Sequence, residues 1–413
     1  MIYFRLKKHF YSSELIRFFV ILLSLFLFIF PKGGIKIGSV PITWGYLLLG
    51  MTGFILAFRK TIRIQKNHLF VLAALTFFQI ISALHFIING IESIGFTISF
   101  VINFYLLPVI FFMIFSEYIK KIPLSLVLNI VKNGVLFLSV YGIFLFFFKA
   151  FTGKFIGIPL LTTNLGDSFS MSDKCISRGG IFKLISTYNN GNIFGVCMLM
   201  ILPFYQHAER KTIRRLIVKL ALLLTLSRTV WIGMIIHEIF DALMFSNNRM
   251  LKNLKLLTFF LGFGLLSVFI AKKINLNSSF FLDLSLGNRV KQFNAITEAW
   301  LFGSTAFRSI TEITYMSILK NFGYMGLFSF CIAMFSPFVA RLKVVTTVSN
   351  TIAAGLINYL IISFSDGTIL YIPTLALYWF FASFMISNHD QAKISTFENL
   401  DRDRGKNVKL ALH

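Results

Sequence analysis

Apolar residues run along this chain in stretches separated by short polar, charged or Gly- and Pro-containing breaks. Stretches of about 17 to 25 residues cross a hydrocarbon layer of roughly 30 Å when helical. Runs such as Phe18 to Phe30 and Leu256 to Ala271 lack the alternation of a membrane β-barrel strand, which excludes that architecture. The pattern predicts helices near 16–30, 40–58, 68–88, 96–116, 124–148, 188–206, 213–226, 229–245, 256–271, 313–340, 347–364 and 370–387. The expectation is therefore an all-α, polytopic integral membrane protein with about 12 transmembrane helices. It forms a single transmembrane domain over 1–387 with a cytoplasmic tail over 388–413.

The segment from Ile213 to Phe245 could be one long helix or two short ones. Both its flanks are strongly basic, so both belong on the same side, which requires the chain to enter and return. Two full crossings need about 40 residues, more than this segment holds. The reversal at Ser227-Arg228 is expected below the outer membrane surface, with Ser227 able to cap the returning helix. Arg228 then points into a protein-lined cavity, because a charge facing lipid is costly.

Composition narrows the class. Of 413 residues, 56% are hydrophobic and 14% charged, with mean hydropathy +0.78, which excludes a soluble enzyme. A formal net charge of +24, from 40 Lys plus Arg against 16 Asp plus Glu, would suggest nucleic acid in a soluble protein. Here it reports topology instead, and no nucleic-acid partner is expected. With the N-terminus inside, the inner segments hold 25 of the 40 cationic residues and the outer ones 13, so both termini are placed in the cytoplasm. The basic N-terminus leads into an apolar run followed by Pro31-Lys32-Gly33-Gly34, which reads as an uncleaved first span. Cys175, Cys197 and Cys331 allow at most one disulfide and show no zinc spacing.

Two outer segments are long, Lys149 to Thr187 and Lys272 to Thr311 (loops of about 149–187 and 272–312), and function is expected there. They and the buried turn carry Arg178, Arg228, Arg289 and Arg308, with Asp283, Glu298 and Glu312 nearby. A planar guanidinium binds phosphate oxygens bidentately and stays charged in a partly dry site, so this set suits a lipid diphosphate. The alternative for Arg289 and Arg308 is contact with lipid headgroups or water. Glu312 opens the tenth span, where it either favours the helix dipole or acts as a general base on an acceptor hydroxyl. His237-Glu238-Ile239-Phe240-Asp241 has the outline of a zinc-protease HExxH with its second His replaced by Asp. No third ligand is apparent, and Glu238 and Asp241 are expected to pair with basic neighbours. Asp401-Arg402-Asp403 in the tail reads as a solvated charge run, not as a metal-binding DxD. No metal or cofactor is expected.

The order of landmarks is more specific than any one of them. Arg178-Gly179-Gly180 and Tyr188-Asn189-Asn190-Gly191-Asn192 are followed by Leu226-Ser227-Arg228 at the turn. Then come Gly287-Asn288-Arg289, Ala299-Trp300-Leu301-Phe302-Gly303, Glu312-Ile313-Thr314-Tyr315 and Asn321-Phe322-Gly323-Tyr324-Met325-Gly326. Over roughly residues 100 to 390 this resembles the O-antigen polymerase/ligase superfamily. Ligases of that superfamily look to carry a His-Asn pair eleven residues before the first Gly of the Gly-x-x-Gly step, where this chain has Glu312, so the resemblance is to a Wzy-type polymerase. It implies a GT-C-like fold with the active site on the periplasmic face of the bacterial inner membrane. It also implies a metal-independent glycosyltransferase of lipopolysaccharide biosynthesis. The donor would be an undecaprenyl diphosphate-linked oligosaccharide, the acceptor another lipid-linked repeat unit, and a chain-length regulator protein and membrane lipid the partners. Arg228 and Arg289 would take the diphosphate and Glu312 the base role. Arg178 and Arg308, with Tyr188, Asn190 and Tyr315, would contact phosphate, glycan or acceptor. Ligase, lipid-linked oligosaccharide flippase and, last, intramembrane protease are the alternative readings.

Overall fold

A computed structural model describes residues 17–37, 40–58, 63–165, 177–178, 181–245, 289–342 and 345–387. Within these the chain is mostly helical. The helices are α1 (Arg17–Ile29), α2 (Trp44–Ala57), α3 (Lys66–Asn89), α4 (Ile94–Ile114), α5 (Ser116–Lys121) and α6 (Leu124–Thr152). They continue with α7 (Gly191–Ala208), α8 (Thr212–Leu224), α9 (Arg228–Phe245), the single turn α10 (Ala295–Glu298), α11 (Thr314–Arg341), α12 (Thr347–Asp366) and α13 (Thr374–Ile386). Each predicted span except 256–271, which lies outside the described residues, coincides with one of these helices. Five of them (α3, α4, α6, α11 and α12) are long and apolar enough to cross a membrane, while α1, α2 and α13 are apolar but shorter.

Local chemistry sets the ends. Asn190 caps α7, its side chain accepting from the Asn192 and Ile193 N–H groups (2.8 and 3.2 Å). Thr346 and Ser349 cap α12 reciprocally. Gly153, left-handed at φ 69°, ends α6 with its N–H on Lys149 O. Pro108 sits inside α4 between two wide π-type turns, Ile102–Leu106 and Val109–Ile114, which absorb the hydrogen bond that proline cannot make.

The expectation of a purely helical chain is corrected at one end of the bundle. Residues 40–43, predicted as the start of a span, form a strand instead. There β1 (Gly34–Ile37) pairs antiparallel with β2 (Val40–Thr43) and parallel with β3 (Asn164–Leu165), in register Gly34 to Thr43 and Gly34 to Asn164. A second pair, β4 (Ser177–Arg178) and β5 (Ile181–Phe182), follows in the first long loop.

The phenylalanine richness has a structural outlet. Phe78 of α3, Phe100 and Phe104 of α4, Phe322 and Phe330 of α11, and Phe307 of the second long loop form one cluster of edge-to-face, tilted and stacked rings with neighbouring centroids 4.7 to 6.0 Å apart. Elsewhere large apolar side chains face outward, Ile87, Ile88, Ile94, Phe144, Phe151 and Phe328 among them. Such a surface suits hydrocarbon, not water.

Hydrogen bonds assign the loops to two ends. At one end Trp44 Nε1 donates to Leu160 O (2.8 Å), Leu184 N to Leu224 O (2.9 Å), Glu92 N to Phe307 O (2.9 Å) and Gly367 N to Glu312 O (3.1 Å). At the other, Gln65 Nε2 donates to Ser116 O (2.7 Å) and His68 Nε2 meets Ser383 Oγ (2.8 Å). The basic runs Arg63 to Lys66, Lys120-Lys121 and Arg210 to Arg215 lie at this second end.

Candidate functional site

The α8–α9 reversal is the first element of the site. Helix α8 stops at Leu224 and α9 starts at Arg228, as the sequence requires for a chain that enters and returns. Leu226 takes the left-handed conformation (φ 50°), and Thr225, Leu226, Ser227 and Thr229 are all buried. Trp231 N–H donates to Ser227 O and the Trp231 indole to Leu223 O (both 3.0 Å), and Leu184 N–H donates to Leu224 O (2.9 Å), so the turn is held from within and from the first long loop. Arg228 is half-buried at the first position of α9.

Helices α12 and α7 meet this turn, and the start of α11 packs on the end of α12. Thr229 Oγ1 lies 2.8 Å from Ser365 Oγ near the end of α12. The next residue, Asp366, is buried, and its Oδ2 accepts from Asn192 Nδ2 of α7 at 2.6 Å. A carboxylate at a helix C-terminus opposes the helix dipole, and a buried one needs compensating donors. Gly367 then donates its N–H to Glu312 O, and a Cβ at Gly367 would collide with Thr314 Oγ1, which packs the start of α11 directly on the end of α12. Glu312 itself is exposed. Tyr371, 45% exposed in the loop before α13, has its phenol held above the ordinary range, first by partial burial and then by the negative charges of Asp366 and Glu312.

The described part of the second long loop, residues 289–311, folds back onto α11. Gln292, in the 3-10 turn Arg289–Asn294, accepts through Oε1 from Thr311 Oγ1 (2.9 Å) and Ile313 N (3.2 Å). That bond brings the main chain of Arg289 to the segment bearing Glu312. Helix α11 breaks at Gly323 (φ 71°, ψ −172°), where Tyr324 N and Met325 N donate instead to Trp300 O and Leu301 O (3.1 and 3.0 Å). A Cβ at Gly323 would lie 2.6 Å from Trp300 O, and one at Gly303 would strike the Asn321 carbonyl, so both glycines permit close backbone approach.

The residues singled out from sequence fall into groups. Arg228, Glu312, Asn190 and the backbone of Arg289 converge on one end of the bundle. Arg178 pairs with Ile181 across the β4–β5 hairpin; its side chain, that of Arg289, and Asp283 lie outside the described residues. Arg308 stands at the surface, 78% exposed, 3.7 Å from an exposed Glu92. Tyr188 is fully buried with its hydroxyl donated to Phe28 O (2.8 Å), and Tyr315 is buried with its hydroxyl donated to Leu360 O (2.9 Å). Both are packing groups, while the Asn190 carboxamide oxygen is committed to capping α7. No family model, curated protein or solved structure matches the chain.

Glu238 is ion-paired with Lys219 (2.6 Å), and no group of three metal-ligating side chains occurs among the described residues. Cys197 and Cys331 are free thiols; Cys175, Asp401 and Asp403 lie outside the described residues. An apolar cavity of about 480 Å³ lies between α1, α2, α6 and α13, lined by Leu27, Leu49, Val131 and Leu377 with Glu117 and Lys121 at its polar end. None of the candidate residues lines it.

Sequence reasoning missed Asp366, which the structure places among the candidate residues. The one available signal for Asp366 was a lone carboxylate closing an apolar run of α12 length.

Proposed function

We propose that this chain is a surface-polysaccharide polymerase of the O-antigen, Wzy type. In this reading it is a multi-pass inner-membrane glycosyltransferase of GT-C-like architecture. It moves a glycan from undecaprenyl diphosphate onto the sugar of another undecaprenyl diphosphate-linked repeat unit at the periplasmic face. The observation that carries the reading is the buried α8–α9 reversal. It sets Arg228 at a helix start in the same polar cluster as Asp366, with Glu312 one hydrogen bond away through Gly367. The residues support the chemistry in this order. The acceptor hydroxyl gives its proton to Glu312, which is exposed where Asp366 is not. The acceptor oxygen then bonds to C1 of the donor sugar, the C1–oxygen bond breaks, and the diphosphate leaves with the electron pair. Arg228 and Arg289 stabilise the developing charge. The basic runs at the opposite end support an outer placement of this one.

Deleting the gene in its host and separating surface lipopolysaccharide on a gel tests the reading. Core plus one repeat unit, with the ladder lost, supports polymerisation, and complementation by Arg228→Ala should not restore the ladder. Bare core with polymer retained on undecaprenyl diphosphate would mean a ligase. Bare core with repeat units trapped on the cytoplasmic face would mean a flippase.

A further inference from the structure

Trp300, Leu301 and Phe302 are 74%, 59% and 55% exposed, and Phe293, Ile296 and Tyr324 beside them are exposed as well. The main chain of this segment is held by protein. The carbonyls of Trp300 and Leu301 accept from the Tyr324 and Met325 N–H groups at the break in α11. That of Gly303 accepts from Asn89 Nδ2, the last residue of α3 (2.9 Å), and that of Ile296 from the Tyr324 hydroxyl (2.7 Å). The segment thus turns its carbonyls to two helices and its large apolar side chains away from them. Irregular main chain at membrane depth needs this arrangement, because hydrocarbon offers it no partners.

The neighbours of the segment fix its level. A Cβ at Gly303 would lie 2.9 Å from His85 Cε1, and His85 is one turn inside the end of α3. Residues 300–303 therefore sit beside the last turns of a helix long and apolar enough to cross a membrane, level with its exposed Leu84, Ile87 and Ile88. A few residues on, the polarity reverses. Phe307 N–H donates to Gly90 O just past α3 (3.2 Å), and the adjacent Arg308 stands 3.7 Å from Glu92, both side chains exposed. The apolar patch continues the outward-facing apolar surface of α3, and the charged pair lies beyond it. Trp and Tyr concentrate at such a boundary between hydrocarbon and water.

We propose that residues 293–302 lie in the membrane interface at this end of the bundle, with Trp300, Leu301 and Phe302 inserted where lipid headgroups meet acyl chains. The partner is the phospholipid bilayer itself, and the inference stands independently of the glycosyl-transfer reading. Its consequence is positional: the loop that carries the Arg289 main chain is held at the membrane surface by lipid on one side and by α3 and α11 on the other.

The test is fluorine NMR of the full-length protein, labelled with fluorotryptophan and reconstituted in nanodiscs of phosphatidylethanolamine and phosphatidylglycerol. Trp300 is one of 4 tryptophans, and Trp300→Phe identifies its resonance as the one that disappears. If that variant does not fold, Trp300→Tyr supplies the assignment. A phospholipid spin-labelled near its headgroup should broaden the Trp300 resonance about threefold more than one labelled at the chain end, and more than a water-soluble gadolinium chelate does. Broadening by the chelate alone places the segment in water and overturns the inference. Broadening by none of the three places it under protein, from this chain or a second copy, and overturns it too. Strongest broadening from the chain-end label puts the ring in the hydrocarbon interior and contradicts the interfacial position.

Discussion

The Asn192 carboxamide donates to the buried Asp366 carboxylate at 2.6 Å across 174 residues of sequence, and this bond joins the start of α7 to the end of α12. It fixes the floor of the polar cluster beneath Glu312 and Arg228. Asn192→Leu should cost about 1–3 kcal/mol, the penalty for leaving a buried carboxylate short of a donor. Thermal unfolding in detergent measures it. A double-mutant cycle with Asp366→Asn should show that the two effects are not additive.

Gly323 holds a conformation that only glycine adopts readily, and it does so where residues 300–302 dock into the break of α11. Gly323→Ala should destabilise by about 1–3 kcal/mol. Because that segment belongs to the loop carrying Arg289, polymer formation should fall further than stability does. Thermal melting and gel banding of the same variant check both effects.

These two relationships mark the limit of what the amino-acid pattern discloses. The helices were legible because long apolar runs broken by short polar segments leave few other solutions. The reversal at Arg228 was legible because basic flanks demanded an even number of passes. Asp366 was not, since its significance comes from a partner on another helix. The break at Gly323 depends on a loop about twenty residues upstream, and β1 to β3 are too short to imprint an alternation. Nor were the partners of Tyr188 and Tyr315 legible: their hydroxyls donate to the main-chain carbonyls of Phe28 and Leu360 on other segments.

At the opposite end, Glu209 is buried yet ionised. Burial alone would raise its pKa, but the Lys211 N–H (2.9 Å) and Arg214 Nη1 (3.1 Å) donate to the carboxylate and hold the pKa below the ordinary value. A lowered folded-state pKa contributes stability above the unfolded value, and this is lost as pH falls through the folded one. Wild type should therefore lose melting temperature on acidification below the ordinary carboxylate range. Glu209→Gln should start lower at neutral pH and fall less.

Glu312→Gln should reduce polymer formation by about 10²–10⁴-fold, the usual worth of a general base, while donor binding stays near wild type. Arg289→Ala should abolish chain extension with expression intact. Immunoblotting of membrane fractions beside the polysaccharide gel separates these outcomes from loss of protein.

Reconstitution with a single synthetic undecaprenyl diphosphate-linked repeat unit reaches the central claim most directly. Purified protein in liposomes, with no added metal or nucleotide, should convert that substrate into lipid-linked dimers and longer oligomers with release of undecaprenyl diphosphate, detected by mass spectrometry. Arg228→Ala should fall to about a hundredth of that rate or less. Unchanged substrate with wild type, or transfer only when lipid A-core is supplied, would contradict the account.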